Sequence, residues 1–317
     1  MTDQKLKVLL AAPRGFCAGV DRAIEIVEET LKIFGPPIYV KHEIVHNKHV
    51  VERLRKKGTI FVENVSDIPD DSVAIFSAHG VSKAVRAEAK KRPIRVIDAT
   101  CPLVTKVHLE VHRLDSEDFE IFLIGHAGHV EVEGTMGQLP EGKIRLIQNA
   151  AEAELVQVTD PNKVGFVTQT TLSLDETNAV VTVLKRRFPE IQSPAKDDIC
   201  YATQNRQNAI KGMVSQIDLL LVIGSKNSSN SNRLVDVALA NGVPGYLFDQ
   251  PDEIQKDWFK DVKCVGLTAG ASAPEDLVQA SLNHILDNYG GIMEHYVYKE
   301  ESVSFALPIE LLQPASN

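Results

Sequence analysis

The sequence has 317 residues, of which 44% are hydrophobic and 24% charged, a balance typical of a globular protein with a sizeable core and incompatible with large-scale disorder. The net charge of −9 argues against a nucleic-acid-binding protein, because phosphate contacts require a basic face. No segment reaches the roughly 20 apolar residues of a membrane helix, and the N-terminus lacks the apolar core of a secretory signal, so we expect a cytoplasmic protein without a membrane partner.

The first predicted elements place a cysteine between a strand and a helix. The apolar run 8–10 is followed by a loop with Pro13 and Gly15, then by Cys17, and then by residues 20–34, whose apolar side chains recur at helical spacing. A helix start favours a thiolate through its dipole and exposed N–H groups, which suits a nucleophile or a metal ligand. Taken alone, Cys17 could equally be a small buried hydrophobic residue.

Strands and helices alternate along the rest of the chain, which predicts a parallel α/β architecture. In the first third, strands are predicted at 38–40, 59–62, 73–76 and 94–97, and helices at 47–57 and 82–91. Strands at 119–124, 144–147 and 163–167 follow, with a helix at 173–188. The last third has predicted strands at 219–223, 245–248 and 264–267, helices at 231–241 and 274–288, and strand-like runs at 297–298 and 303–305.

The arrangement of strand, cysteine and helix recurs at Cys101 and Cys200. Pro102 follows Cys101 at a first helical position, where its missing N–H costs nothing. The three cysteines are separated by about the length of a small α/β domain. We therefore predict three similar α/β units at residues 1–101, 102–196 and 197–290, followed by a C-terminal arm at 291–317. Cys264, within a predicted strand, is expected to be a core residue.

Polar side chains cluster in the loops that follow the predicted strands. These loops are His42–Asn47, Ser77–Gly80, Gly125–Glu131, Thr168–Thr171, Gly224–Asn230 and Ala269–Pro274. Ligands of parallel sheets bind beyond the carboxyl ends of the strands, so six loops of this kind favour a shared site over unrelated helix caps. Residues 228–230, Ser272, Thr170 and Thr171 offer hydroxyl, amide and N–H donors, which suit a diphosphate held by neutral groups.

Two short motifs resemble zinc sites but lack the expected context. His42-Glu-Ile-Val-His46 matches the H-E-x-x-H pattern of zinc proteases, yet it follows a predicted strand and precedes the helix cap Asn47, so a loop is predicted instead of a helix. His129-Val-Glu131 resembles the H-x-E of zinc deaminases, but the sequence lacks their P-C-x-x-C partner. Neither interpretation is favoured.

The cysteines themselves limit the kind of metal site. A structural zinc site normally has four ligands with two in a close pair, and no two cysteines here are close in sequence. If Cys17, Cys101 and Cys200 converge, they could bind three irons of a cubane cluster and leave the fourth iron open, which is a catalytic arrangement. Disulfides are not expected in a reducing compartment.

The longest motifs resemble those of the 4-hydroxy-3-methylbut-2-enyl diphosphate reductase family, also called IspH or LytB. They include Pro-Arg-Gly-Phe-Cys-Ala-Gly-Val-Asp-Arg-Ala, Asp-Ala-Thr-Cys-Pro-Leu-Val-Thr-Lys-Val-His, Asp-Asp-Ile-Cys-Tyr-Ala-Thr and Gly-Ser-x-Asn-Ser-Ser-Asn-Ser-Asn-Arg-Leu. The similarity extends from about residue 8 to about residue 285. Val130 departs from the family's pattern, because many relatives carry proline at this position. This difference affects the stiffness of the backbone but not the chemistry.

The resemblance implies a trefoil of three α/β units around one [4Fe-4S] cluster per chain, with Cys17, Cys101 and Cys200 as ligands and one open iron. It implies reductive dehydroxylation of the allylic diphosphate to isopentenyl and dimethylallyl diphosphate, the last step of the non-mevalonate isoprenoid pathway, with an external one-electron donor such as ferredoxin or flavodoxin. The implied catalytic residues are Glu131, as proton donor, with Thr170 and His129. The implied substrate-binding residues are His46, His79, His129, Thr170, Thr171, Ser228, Ser229, Asn230 and Ser272.

Two other functions stay open at this point. A non-catalytic iron–sulfur sensor would also use three cysteines, but it would not need the phosphate-type donors of the loops. A zinc-dependent phosphosugar enzyme would use His42, His46 and His129, and metal analysis would distinguish it from an iron–sulfur protein.

Overall fold

The computed structural model describes residues 5–312, in which strands and helices alternate as predicted. The strands are β1 Lys7–Ala12, β2 Ile38–Lys41, β3 Thr59–Val62, β4 Val73–Phe76, β5 Arg95–Asp98, β6 Glu120–Ile124, β7 Ile144–Ile147, β8 Val164–Thr168, β9 Leu219–Ile223, β10 Gly245–Phe248, β11 Cys264–Ala269 and β12 Ile292–Val297. The helices are α1 Ala18–Phe34, α2 Lys48–Lys56, α3 Lys83–Lys90, α4 Pro102–Ser116, α5 Val130–Met136, α6 Ala150–Leu155, α7 Leu174–Arg187, α8 Tyr201–Met213, α9 Ser229–Ala240, α10 Glu275–Tyr289 and α11 Ile309–Leu312.

Side-chain caps explain where several helices begin. The Ser82 hydroxyl accepts a hydrogen bond from the Val85 N–H at the start of α3, and Ser173 does the same for α7. Helix α4 begins at Pro102, as predicted, with Cys101 as its N-cap residue. Helix α9 begins two residues earlier than predicted, because Ser228 is the cap and accepts from the Ser231 N–H.

The strands form three sheets in which every pair is parallel. The five-stranded sheet has the order β10-β9-β11-β1-β12, the four-stranded sheet β3-β2-β4-β5, and the three-stranded sheet β7-β6-β8. Where the three-stranded sheet would have a fourth strand, Gln192 makes an isolated parallel bridge to Gly165. The same order of strands therefore occurs three times, and in each case the fourth position precedes a cysteine.

The hydrogen bonds of β1 correct one predicted boundary. The sequence analysis assigned this strand to the first unit, but it pairs with β11 and β12, with Leu9 opposite Gly266 and Glu294. The apolar side chains of Val8 and Leu10 pack in the same core as strands β9 and β11. The last repeat, which begins at β9, therefore takes its fourth strand, β1, from the start of the chain. The repeats are thus circularly permuted: the chain begins with the last strand of the third repeat.

The described residues fall into two compact parts. The first comprises the residues up to Ala18, His46–Glu52 and Tyr201–Val303, and contains the five-stranded sheet. The second comprises Gly19–Val45, Arg53–Cys200 and the residues from Ser304, and contains the other two sheets. In the first part, apolar cores cover both faces of the sheet, one beneath α10 and one beneath α8 and α9. In the second part, the three-stranded sheet is covered by α6 and α7 on one face and by α4 and α5 on the other.

The C-terminal arm differs in detail from the prediction. Its strand is β12 at Ile292–Val297, whereas residues 303–305 form no strand. Residues 1–4 and 313–317, which belong to the predicted first unit and to the arm, lie outside the described residues.

Candidate active site

The three cysteines of the repeats have equivalent backbone settings. Each lies directly before a helix, is half-buried, and donates its backbone N–H to a carbonyl two residues beyond the end of a strand. The pairs are Cys17 with Ala271, Cys101 with Ala78 and Cys200 with Thr170, at N···O distances of 3.2, 2.9 and 3.0 Å. This repeated hydrogen bond places every thiol at the carboxyl end of a parallel sheet and at the start of a helix, where a thiolate is favoured.

The donor set fits an iron–sulfur cluster, whose irons are held by cysteine thiolates. None of the four cysteines forms a disulfide, and Cys264 differs from the other three because it begins β11 and is partly buried against the core. Burial raises the pKa of the Cys264 thiol, which disfavours its thiolate. Among residues 5–312, no group of three or more His, Cys, Asp or Glu side chains is arranged around a single metal ion.

Three predicted substrate-binding residues follow directly after the carbonyls that hold the cysteines. His79 follows Ala78, Thr171 follows Thr170 and Ser272 follows Ala271. A second set lies five residues after the end of the first strand of each repeat, one or two residues before the next helix. Its members are His46 after β2, His129 after β6 and Ser228 after β9. Six of the predicted site residues thus occupy two equivalent positions, with one pair in each of the three repeats.

The two compact parts divide these residues between them. The first part contains Cys17, His46, Ser228, Ser229, Asn230 and Ser272. The second contains Cys101, Cys200, His79, His129, Glu131, Thr170 and Thr171. Within the first part the Ser272 hydroxyl donates to the His46 carbonyl at 2.9 Å, and within the second the rings of His79 and His129 meet edge to face with centroids 6.2 Å apart.

Hydrogen bonds orient the rings of two of these histidines. The Nδ1 of His129 accepts the Glu131 N–H at 3.2 Å, so its Nε2 is the nitrogen that carries a proton in the neutral ring. The Nδ1 of His46 faces the side-chain amide of Asn227 at 3.4 Å, which favours the same tautomer. Both rings can therefore donate a hydrogen bond from Nε2 to an anionic oxygen.

Asn230 is the buried polar residue that most clearly indicates a ligand-binding site. Its side chain is 4% exposed, and neither its Oδ1 nor its Nδ2 has a hydrogen-bond partner within the described part of the chain. An unpaired buried amide costs about 1–3 kcal/mol, so such groups are normally satisfied by a ligand or by water. Asn230 lies in the first turn of α9, beside the capping residue Ser228.

Two further residues make hydrogen bonds to members of the predicted substrate-binding set, and the sequence analysis did not identify them. The Ser231 hydroxyl donates to the Ser228 hydroxyl at 3.0 Å, and the Gln169 side-chain amide donates to the Thr171 hydroxyl at 3.1 Å. Gln169 also accepts the His126 N–H through its Oε1. Gln169 lies in the polar loop 168–171 that the sequence singled out, and Ser231 lies directly after the loop 224–230, in the first turn of α9. Only the packing assigns the two residues a supporting role.

Glu131 is buried and joined to Thr170 on the neighbouring loop. Its Oε1 accepts the Thr170 N–H at 2.6 Å, and its Oε2 accepts the Thr170 hydroxyl at 2.9 Å. Burial raises the pKa of Glu131 to about 7, against the lowering effect of these two hydrogen bonds, and the nearby Asp198 adds to the rise. The side chain can therefore hold a proton at neutral pH, as a general acid must.

The H-E-x-x-H motif lies in a loop, as predicted. Residues 42–46 lie between β2 and α2 and do not form the helix that a zinc protease requires. The His42 ring faces the Glu63 carboxylate through Nδ1 at 2.6 Å and the Lys41 ammonium through Nε2 at 2.7 Å. No helix within residues 5–312 has the length and apolar character needed to span a membrane.

Sequence comparison identifies relatives along nearly the whole chain. The family model described as "LytB protein" matches residues 8–286. A 4-hydroxy-3-methylbut-2-enyl diphosphate reductase of Shewanella oneidensis is 55% identical over 312 residues, covering 98% of each chain. The reductase of the same name from Photobacterium profundum is 56% identical over 308 residues, covering 96% of this chain and 98% of its own.

Two solved structures share the fold. The E-1-hydroxy-2-methyl-but-2-enyl-4-diphosphate reductase from Plasmodium falciparum is 41% identical and superposes with a TM-score of 0.94, over 98% of this chain and 97% of its own. An (E)-4-hydroxy-3-methyl-but-2-enyl diphosphate reductase, the terminal enzyme of the non-mevalonate pathway, is 31% identical with a TM-score of 0.63, over 89% and 99%.

Proposed function

The chain belongs to the LytB protein family, and on that premise we propose that it reduces 4-hydroxy-3-methylbut-2-enyl diphosphate to isopentenyl and dimethylallyl diphosphate. The reaction is the terminal step of the non-mevalonate pathway. It consumes two electrons and two protons: the C–O bond of the allylic alcohol breaks, the oxygen leaves as water, and a C–H bond forms at either end of the allyl unit. The substrate therefore needs a site for its diphosphate and a proton donor for its hydroxyl.

The observation that carries the proposal is the buried, unpaired amide of Asn230. It lies next to Ser228 and Ser229 at the start of α9, where backbone N–H groups and the helix dipole favour an anion. Neutral donors suit a diphosphate in a chain with a net charge of −9. We assign His46, His79, His129, Thr171, Ser228, Ser229, Asn230 and Ser272 to binding of the substrate, chiefly at its diphosphate.

The equivalent settings of Cys17, Cys101 and Cys200 support their assignment as the ligands of one [4Fe-4S] cluster with an open iron. When bound, such a cluster supplies electrons one at a time and a Lewis-acidic iron that carries no cysteine. The role of the protein is to hold three thiolates at helix starts and to leave the fourth position open. The repeat explains the number of ligands, because each of the three units contributes one.

Glu131 is assigned as the proton donor of the reaction. A hydroxide is a poor leaving group, and transfer of a proton lets it depart as water. The Thr170 N–H and hydroxyl hold both carboxyl oxygens in place, so Thr170 is assigned to orientation of Glu131 and contact with the hydroxymethyl end of the substrate. His129 lies at the start of the same helix as Glu131, so it is assigned a catalytic role beside the proton donor in addition to substrate binding.

The proposal includes a separate electron donor and a cellular location. Each turnover transfers two electrons to the substrate, so a one-electron carrier such as ferredoxin or flavodoxin must reduce the protein again. Thiolate ligands persist in a reducing compartment, which supports the cytoplasm.

The test is anaerobic purification followed by EPR of the reduced protein, alone and with the allylic diphosphate alcohol. We expect a brown protein with an iron–sulfur signal that shifts when the alcohol is added. Replacement of Cys17, Cys101 or Cys200 by serine should abolish the signal, while Cys264→Ser, the matched control, should retain it. A colourless protein that binds stoichiometric zinc, or a signal unaffected by the substrate, would contradict the proposal.

A further inference from the structure

Each cysteine of the repeats is followed, five or six residues later, by a basic side chain on the same helix. These side chains are Arg22 on α1, Lys106 on α4 and Arg206 on α8. Each of the three donates hydrogen bonds to backbone carbonyls of a short segment that precedes another of the cysteines.

Arg22, which follows Cys17, binds the segment in front of Cys101. Its Nη1 donates to the carbonyls of Thr100 at 3.1 Å and Ala99 at 3.4 Å. The guanidinium is also close enough to Cys101 for a Coulombic attraction to its thiolate. Its Nε donates to the Ala306 carbonyl at 2.7 Å, which ties the C-terminal arm to the same side chain.

Lys106, which follows Cys101, binds the segment in front of Cys200. Its Nζ donates to the carbonyls of Lys196 and Asp197, both at 2.7 Å, and lies 3.2 Å from the Asp198 carboxylate. The other oxygen of Asp198 accepts the Thr168 N–H at 3.0 Å, so the segment is also anchored to the end of β8.

Arg206, which follows Cys200, binds the segment in front of Cys17. Its side chain is fully buried, and its Nη2 donates to the carbonyls of Gly15 at 2.7 Å and Phe16 at 3.3 Å. The Glu301 carboxylate, on the arm, lies 3.2 Å from its Nη1 and balances the buried charge. The three contacts therefore form a closed cycle, in which the helix after one cysteine holds the loop before the next.

We propose that Arg22, Lys106 and Arg206 are positioning residues that fix the three cysteine loops for cluster binding. The inference rests on the proposed function, because it concerns the assigned cluster ligands. Hydrogen bonds from charged donors are stronger than those between neutral groups, so they can hold a short loop segment in one conformation. Groups that orient metal ligands typically change metal affinity or activity about 10–100-fold when removed.

The cyclic pattern distinguishes this role from general stabilisation of the fold. Basic side chains bind carbonyls elsewhere in the chain as well: Arg187 donates to Ala153 and Val156, and Lys163 donates to Glu117. Neither of these contacts involves a segment next to a cysteine. Arg187 and Lys163 therefore provide matched controls for Arg22 and Lys106.

The experiment compares Arg22→Gln and Lys106→Gln with Arg187→Gln and Lys163→Gln in anaerobically purified protein. The measured quantities are iron and sulfide per chain, the rate of cluster loss to an iron chelator, and the EPR spectrum of the reduced protein. We expect the first pair to lose the cluster about 10-fold faster or more and to show altered EPR line positions. The control pair should behave as wild type, and Arg22→Lys and Lys106→Arg should largely restore cluster retention.

Fully buried Arg206 is not used as the primary variant, because its loss leaves Glu301 with an unpaired charge and can prevent folding. The inference is overturned if the two glutamine variants retain the cluster and its spectrum as the wild type does, or if the control variants lose it equally fast. A wild-type protein without any iron–sulfur signal would instead contradict the proposed function, so the two failures are distinguishable.

Discussion

The Glu131 carboxyl accepts two hydrogen bonds from one residue, the N–H and the hydroxyl of Thr170, at 2.6 and 2.9 Å. The same Thr170 accepts the N–H of Cys200 through its carbonyl. One loop residue therefore links the proposed proton donor to a proposed cluster ligand. This connection explains how a carboxyl on helix α5 can keep a defined position next to a cysteine loop.

The first prediction concerns the pH dependence of turnover. Glu131 must be protonated to act, and its pKa is raised to about 7 by burial, so turnover should fall as the pH rises above about 7. Glu131→Gln should lower kcat about 100-fold or more while iron content is kept. Glu133→Gln, which changes an exposed carboxyl on the same helix, is the control and should leave kcat within about twofold of wild type. Near-normal turnover of Glu131→Gln would remove Glu131 from the mechanism.

The second prediction concerns the Thr170 hydroxyl. Its hydrogen bond lowers the pKa of Glu131, so Thr170→Val should move the decline of turnover to higher pH and should reduce kcat about 10-fold through lost orientation. The Thr170 backbone contacts to Glu131 and Cys200 are unchanged in this variant. Thr170→Ser retains the hydroxyl, and its pH profile should match that of the wild type. A Thr170→Val profile that shifts to lower pH would argue against this hydrogen bond.

The third prediction follows from the unpaired amide of Asn230. Asn230→Leu removes a buried group without a partner in the described chain, so the ligand-free protein should become more stable by about 1 kcal/mol. Its affinity for inorganic pyrophosphate should fall about 10-fold. Thermal unfolding in phosphate-free buffer and calorimetry measure the two effects. Asn241→Leu, which removes an amide that does bind a carbonyl, should not gain stability or lose pyrophosphate affinity.

The fourth prediction concerns acid stability. Burial, assisted by the charge of Arg86, lowers the pKa of His108 to about 4, so below pH 6.5 the unfolded chain binds a proton that the folded chain does not. This group should therefore reduce the free energy of unfolding as the pH falls, by about 2 kcal/mol at pH 5 relative to pH 7.5. His108→Gln should reduce this difference in denaturant titrations at the two pH values. The exposed His295→Gln should leave it unchanged, and an equal loss in both variants would contradict the assignment.

The fifth prediction concerns the packing beneath Ser228. A Cβ at Gly270 would lie 2.0 Å from the Ser231 Oγ and 3.1 Å from its Cβ, and Ser231 is fully buried. Gly270→Ala should destabilise the protein by about 1–3 kcal/mol and raise KM, because Ser231 binds Ser228. The pair Gly270→Ala and Ser231→Gly tests the cause in a double-mutant cycle. Strictly additive losses would exclude the clash as the source.

The sequence by itself determined the features that depend on neighbouring residues. Alternating strand and helix patterns, Pro102 at a helix start and the recurrence of Cys17 at Cys101 and Cys200 all follow from spacing and capping. The loop conformation of the H-E-x-x-H motif was also predicted from neighbouring residues, because a strand precedes it and the helix cap Asn47 follows it.

Only the tertiary structure decided what depends on distant residues. Strand β1 joins the five-stranded sheet because its hydrogen bonds and apolar side chains match β11, which no local pattern near Val8 can specify. The pKa of Glu131 is raised because residues distant in the sequence bury its carboxyl group and exclude water from it. The cycle from Arg22 to the loop of Cys101 is invisible in sequence for the same reason: its hydrogen bonds join groups that only folding brings together.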